Sequence, residues 1–165
     1  MDADLVELAN ALGSDTAYLL KGGWARLRGR GDSVEYLPLK NKLEFAVIYS
    51  EGGVNTAECF KLYDSALESV KQSANVEGLI ESLNGEELLY SECKNALEPY
   101  ACEMNPNVKR ALEFAQSLSP KAVFMTGSGA TVVMLFDYGG LSHWAVEKAR
   151  QAGFEADILR TYLPK

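Results

Sequence analysis

Apolar positions along the chain change their spacing several times, and each change predicts an element. Between Asp4 and Leu12, Leu5, Leu8, Ala9 and Leu12 fall at i, i+3, i+4 and i+7, one face of a helix. Asp4 is placed to cap it, Glu7 follows three residues on, and Gly13 is placed to end it in a left-handed conformation. From Ala17 to Leu39 the spacing shortens to two. Trp24, Arg26, Arg28 and Arg30 alternate with Ala25, Leu27 and Gly29, and Gly31-Asp32 is a turn signal ahead of Val34 to Leu37. This predicts a hairpin or meander of short strands. Leu43, Phe45, Val47 and Tyr49 alternate likewise, predicting a strand that Gly52-Gly53 breaks.

Asn55 and Glu58 have the spacing of a capping box. The helix they open carries Phe60, Tyr63, Leu67 and Val70 on one face and ends in the polar stretch Lys71 to Asn75. Two shorter helices are predicted at Val76 to Leu83 and Glu86 to Leu97, separated by Asn84-Gly85, with Pro99 marking a boundary. Pro106 to Leu118 is the clearest helix: Asn105 is its N-cap, Pro106 its first residue, and Val108, Ala111, Leu112, Ala115 and Leu118 its buried stripe. Two short apolar runs, Ala122 to Met125 and Thr131 to Phe136, predict central strands joined by Gly127-Ser128-Gly129. A helix from Leu141 to Ala152, closed by Gly153, and a strand from Phe154 to Tyr162 complete the pattern.

Counted from Leu43, the order is strand, helix, extra helices, strand, strand, helix, strand. The fold class predicted is α+β: a ferredoxin-like split β-α-β-β-α-β sandwich with extra helices, preceded by a helix and short strands. The boundary falls between residues 1–40 and 41–165.

Composition narrows the partners. A chain of 165 residues with 47% hydrophobic content can build one full domain and part of another. A formal charge of −7 argues against nucleic acid, which is held through clustered Lys and Arg. No apolar run approaches the roughly 20 residues that cross a bilayer, and Asp2 and Asp4 stand where an export signal carries positive charge, so a cytoplasmic protein is expected. Cys59, Cys93 and Cys102 form an odd set without CxxC spacing, which predicts reduced thiols rather than disulfides or zinc. His143, the single histidine, reads as a helix surface residue, and no metal site is expected.

Four places carry candidate chemistry. Thr126-Gly127-Ser128-Gly129-Ala130 could converge backbone N–H groups on an anion, or be a hairpin turn needing positive φ. Asp15 could accept a proton from a substrate hydroxyl, or merely form a turn after the first helix. Lys21, Arg26, Arg28 and Arg30 could attract a phosphorylated ligand, though alternating charges also suit a solvated strand face. Phe60 could offer its ring to a nucleobase, whereas Tyr63 reads as core.

In order and spacing, Leu12-Gly13-Ser14-Asp15, Gly22-Gly23 to Gly31, Gly52-Gly53-Val54-Asn55-Thr56-Ala57-Glu58-Cys59-Phe60, Asn95-Ala96-Leu97-Glu98-Pro99 and Met125-Thr126-Gly127-Ser128-Gly129-Ala130 are landmarks. Together they resemble the back half of the diphosphocytidyl-methylerythritol kinases, a family of the GHMP kinase superfamily. The resemblance implies a phosphotransferase of isoprenoid precursor synthesis that moves the γ-phosphate of ATP, with Mg²⁺, to the 2-hydroxyl of a cytidine diphosphate derivative. It makes Asp15 the catalytic carboxylate, Phe60 the aromatic on the cytosine with Thr56 beside it, and Gly127, Ser128 and Gly129 a wall near the transferred phosphate. Residues 1–40 then read as a remnant of the amino-terminal kinase domain.

Ala96 departs from the family's usual Asn-Asp-Leu-Glu-Pro, which reads as a small change at a helix junction. No stretch resembles the family's glycine- and serine-rich phosphate loop or its lysine near the catalytic aspartate. Phosphoryl transfer depends mainly on positioning and charge stabilisation of the triphosphate, so the chain alone is expected neither to turn over nor to hold ATP tightly. Self-association through an uncovered apolar surface is a further expectation. The alternatives are a stand-alone ferredoxin-like module that binds a small molecule without catalysis, and an interaction domain that pairs with a separate chain.

Overall fold

Residues 3–13, 15–38, 43–66, 75–83, 88–137 and 139–161 are described by the computed structural model of the protein. Their contacts fall into two units, Met1–Leu43 with Thr161–Lys165, and Glu44–Arg160.

The first unit opens with helix α1, Ala3–Leu12. Of its predicted apolar stripe only Ala9 is buried, while Leu5, Leu8 and Leu12 are exposed. Gly13 does not take the left-handed conformation expected of it. Its N–H continues the helical bonding to the Ala9 carbonyl at 3.3 Å, and its own carbonyl accepts from the Thr16 N–H at 3.2 Å. The chain is thereby led into a single helical turn, α2, Thr16–Leu19, where short strands were expected to begin. Ala-Tyr-Leu-Leu has none of the β-branched side chains that would hold it extended.

Strands β1, Ala25–Arg28, and β2, Ser33–Tyr36, pair antiparallel from Ala25 opposite Tyr36 to Arg28 opposite Ser33. Residues 29–32 connect them, with Gly29 at φ +64° and Gly31 at φ +92°. Asp32 accepts the Arg30 N–H at 2.8 Å, and this bond holds its carboxyl below the usual carboxylate range. Arg30 therefore sits in the turn, not on the strand face with Arg26 and Arg28.

The second unit is built on a sheet of β3, Glu44–Tyr49; β4, Ala122–Thr126; β5, Thr131–Leu135; and β6, Glu155–Arg160. Its order is β4-β5-β3-β6, every neighbouring pair antiparallel. Alternation sorts the side chains. Ala46, Ile48, Met125, Val132, Met134 and Ala156 join a core completed by helices α3, Thr56–Ala66; α5, Glu98–Met104; α6, Pro106–Ser117; and α7, Gly139–Gln151. The opposite face is apolar as well, with Val47, Val133 and Leu135 buried. Fully burying a side chain such as Ile48 contributes about 1.5–3 kcal/mol. Ala111 and Ala115 on α6, and Ala145 and Ala149 on α7, keep the helix surfaces facing the core low.

Helix ends decide where the loops go. Asn105, the N-cap of α6, accepts the Asn107 N–H at 2.9 Å and donates through its side-chain amide to the carbonyls of Glu51 and Gly52, each at 3.1 Å. Helix α7 ends with the Phe154 N–H on the Ala149 carbonyl at 2.9 Å and the Gly153 N–H on the Arg150 carbonyl at 3.1 Å, Gly153 standing at φ +85°. This is the Schellman arrangement expected of that glycine. Helix α4, Val76–Leu83, starts from Asn75, whose side chain accepts the Gly78 N–H at 2.9 Å. Asn75 therefore opens a helix rather than only ending a polar stretch.

The helix predicted from Glu86 to Leu97 is not formed over its described part. A single 3-10 turn at Tyr90–Glu92 is followed by irregular chain, and Pro99 lies in the first turn of α5 instead of beyond a helix end. A proline there gives up no helical hydrogen bond, because the first N–H groups of a helix have no partner within it. Leu67, Val70, Asn84, Gly85 and Tyr162 lie outside the described residues.

Candidate functional site

Residues 127–130 make the turn between β4 and β5, and three of them have positive φ: Gly127 at +63°, Gly129 at +136° and Ala130 at +92°. Only glycine adopts such angles without strain, so Ala130 is held there by its surroundings. Its carbonyl accepts the Ser50 N–H at 2.6 Å. A Cβ at Gly129 would stand 2.6 Å from Val54 Cγ2, so glycine is also needed for close approach. Among the described residues, the N–H groups of Gly127, Ser128 and Gly129 find no backbone acceptor. Three unpaired donors on one turn suit an anionic oxygen.

The turn meets the start of α3. Thr56 Oγ1 and Ser128 Oγ are 2.7 Å apart, so one hydroxyl donates to the other across 72 positions of sequence. Asn55 caps α3 as predicted, its side chain accepting the Glu58 N–H at 3.1 Å. One turn beyond Thr56, Phe60 is 46% exposed. The buried residue of the helix is its neighbour Cys59, while Tyr63 is half-buried with its ring edge-on to Tyr100 at 6.0 Å. The face predicted from Phe60 and Tyr63 together is thus split: Tyr63 turns inward and Phe60 stays partly in solvent.

Two side chains of the Asn-Ala-Leu-Glu-Pro stretch reach the end of β4, and one of them reaches the turn. Asn95 donates to the Met125 carbonyl at 2.8 Å and to the Gly127 carbonyl at 2.7 Å, and accepts the Leu97 N–H at 2.9 Å. Glu98 accepts the Met125 N–H at 2.7 Å. Burial pushes the Glu98 carboxyl up, and the Met125 bond only partly opposes this. Sequence reading placed these residues at a helix junction and gave them no part in the site; the signal available was the motif itself.

Asp15 belongs to the first unit. It is exposed ahead of α2, its carbonyl accepts the Leu19 N–H at 3.3 Å, and its side chain makes no capping bond. Its carboxylate is therefore not consumed in holding the helical turn. Arg28 pairs with Glu35 across the hairpin at 3.8 Å, both side chains exposed, as on a solvated strand face. Burial raises the Cys59, Cys93 and Cys102 thiols, which keeps them protonated at neutral pH and unsuited to nucleophilic work. At the same end of the sheet a hollow of about 110 Å³ is lined by Tyr49, Ser50, Glu51, Asn107, Arg110 and Glu155. Two acidic residues and one basic residue line it together.

An α+β unit with a four-stranded antiparallel sheet and a glycine turn set against a helix start defines a class of protein. The family described as GHMP kinases C terminal matches residues 67–156, more than half of the chain, and the chain belongs to it. Curated relatives named 4-diphosphocytidyl-2-C-methyl-D-erythritol kinase resemble it further. That of Pelotomaculum thermopropionicum is 30% identical over 165 residues, 99% of this chain and 57% of the relative. That of Clostridium beijerinckii is 30% identical over 139 residues, 82% of this chain and 49% of the relative. A crystal structure of 4-(cytidine 5'-diphospho)-2C-methyl-D-erythritol kinase superposes with a TM-score of 0.78 at 27% identity, covering 99% of this chain and 59% of that one. Homoserine kinase from Cytophaga hutchinsonii, at 21% identity and a TM-score of 0.61 over 90% of this chain and 50% of its own, shares the fold. The chain spans about half the length of the curated relatives it matches, and what it resembles is their C-terminal portion.

Proposed function

We propose that this chain carries the substrate-facing part of a kinase that transfers the γ-phosphate of ATP to the 2-hydroxyl of 4-diphosphocytidyl-2-C-methyl-D-erythritol. The observation that carries the reading is the pairing of Thr56 with Ser128, which brings the exposed Phe60 helix and the 127–130 turn together in one unit. On this reading Phe60 packs on the cytosine with Thr56 beside it, and Gly127, Ser128 and Gly129 turn their free N–H groups toward the transferred phosphate. Asp15 orients the substrate hydroxyl and takes its proton as oxygen attacks phosphorus. On the same reading this wall would face the triphosphate of ATP, whose oxygens could accept from the N–H groups of the turn. ATP would supply the phosphoryl group, and Mg²⁺ would arrive with it to neutralise charge.

The strand order β4-β5-β3-β6 with helices against one face supports a ferredoxin-like split β-α-β-β-α-β arrangement for residues 41–165. Residues 1–40 are then part of the amino-terminal kinase domain. No helix among the described residues is long and apolar enough to cross a membrane; a cytoplasmic location is part of the proposal.

Calorimetric titration of the purified chain with 4-diphosphocytidyl-2-C-methyl-D-erythritol, and separately with Mg-ATP, tests the reading. Weak binding of the cytidylyl compound that Phe60→Ala abolishes is expected. Phe60 is 46% exposed, so that variant should cost no more than about 1.5 kcal/mol. Binding that persists in the variant refutes the assignment of Phe60, and silence of the wild type toward the cytidylyl compound refutes the substrate.

A further inference from the structure

Strand β4 lies at an edge of its sheet, with β5 as its neighbour. Edge strands present N–H and C=O groups that no other strand takes up. At Met125, the last residue but one before the turn, both outward groups are met by side chains from a single five-residue stretch: Glu98 takes the N–H and Asn95 the carbonyl. The second amide hydrogen of Asn95 goes on to the Gly127 carbonyl, the first residue of the turn. The Asn95 oxygen is fixed in turn by the Leu97 N–H, so the amide cannot rotate without losing three bonds. Glu98 is the first residue of α5, Pro99 follows it in the first turn, and α5 buries Ala101 in the core. The clamp is thus anchored to packed structure, not to a loose loop.

The turn needs such a hold. Three of its four residues have positive φ, one of them an alanine, and its donors can meet one anion only if the turn is held in place. Free N–H groups on a mobile turn would each have to be ordered when an anion binds, which costs backbone entropy.

We propose that Asn95 and Glu98 are positioning residues that lock the end of β4 and thereby hold the N–H groups of Gly127, Ser128 and Gly129 in an anion-binding arrangement. The inference rests on the reading of that turn as phosphate-facing. The alanine at position 96 does not disturb it, because Ala96 is exposed and takes part in none of these bonds.

The test is a titration of the isotopically labelled chain with inorganic pyrophosphate and, in parallel, with cytidine, followed through backbone amide signals and heteronuclear relaxation. In the wild type, pyrophosphate should shift the Gly127, Ser128 and Gly129 amides. Asn95→Ala should weaken that response at least about fivefold and lower the order of the three amides, while the cytidine response near Phe60 persists. Glu98→Ala should act in the same direction. Glu98→Gln, whose amide oxygen can still accept the Met125 N–H, should stay within about twofold of wild type. A merely structural role would lower both ligand responses together. Wild-type pyrophosphate binding and amide order in Asn95→Ala would overturn the clamp. Absence of pyrophosphate shifts in the wild type itself would overturn the phosphate-facing reading and the positioning role with it.

Discussion

Replacing Gly129 by alanine puts the geometry of the turn to its most direct test. The new Cβ would lie 2.6 Å from Val54 Cγ2 and 2.9 Å from Val54 Cβ, where carbon atoms prefer about 3.5–4.0 Å. Rotating Val54 moves Cγ2 but not Cβ, whose place is set by the backbone. The turn cannot simply back away either, since Gly127 is bonded to Asn95, Ser128 to Thr56 and Ala130 to Ser50. A φ of +136° adds backbone strain of about 1–3 kcal/mol for a residue with a side chain. Overpacking contributes about 1–3 kcal/mol, and the stiffer unfolded chain returns about 0.4–1 kcal/mol. The expected loss is about 2–4 kcal/mol, which for a chain of this size lowers the melting temperature by roughly 5–15 °C. Thermal and urea unfolding followed by circular dichroism read it directly. In a Val54→Ala background the Cγ2 clash disappears while the Cβ contact and the strain remain, so Gly129→Ala should there cost about 1 kcal/mol less. If Gly129→Ala unfolds within about 0.5 kcal/mol of wild type, or costs the same in both backgrounds, the close packing of the turn on Val54 is wrong.

The remaining predictions concern the groups that hold the turn and its neighbouring loop. Glu98 has its carboxyl raised above 4.5 by burial, so the folded state keeps its proton longer than the unfolded chain. Stability from this group is complete in acid and is lost as pH climbs from the ordinary carboxylate range through the raised value. Glu98→Gln should flatten that decline in melting temperature against pH, and an unchanged slope would refute it. Asn105 is only 8% exposed, and Asn105→Ala removes an N-cap together with the donors to the Glu51 and Gly52 carbonyls. It should cost about 2–4 kcal/mol in urea unfolding, the cap alone accounting for about 1 kcal/mol. A loss below about 1 kcal/mol would mean that the loop does not depend on it.

How much of this the sequence discloses depends on how far each determinant reaches. Helix α6 is legible because Asn105, Pro106 and the Val108 to Ala115 stripe all act within a few residues. The Gly153 ending of α7 is legible for the same reason. The stretch before Pro99 is misread because a proline marks the end or the beginning of a helix with equal right. What decides here is an Asn95 side chain bonded to a strand some 30 residues away. On α3, helical spacing groups Phe60 with Tyr63, but only packing against Tyr100 shows which of the two turns inward. The site follows the same rule. Residues 127–129 stand out by composition, whereas the Thr56–Ser128 contact requires the sheet order to be known. Asn95 and Glu98 are visible as a motif but not as a clamp, because nothing local reveals that β4 is an edge.

That the outward groups of β4 near the turn are occupied has a counterpart at the far edge of the sheet. On β6 the Arg150 guanidinium donates to the Ala156 carbonyl at 3.0 Å, and the Asp157 carboxylate accepts the Ile158 N–H at 2.8 Å. At both margins, then, backbone positions where a foreign strand would have to dock are filled by the chain's own side chains. A neighbouring molecule seeking to extend the sheet would first have to evict a charged or amide group and leave it without its partner. At these positions the sheet can be extended only at the expense of bonds it already makes.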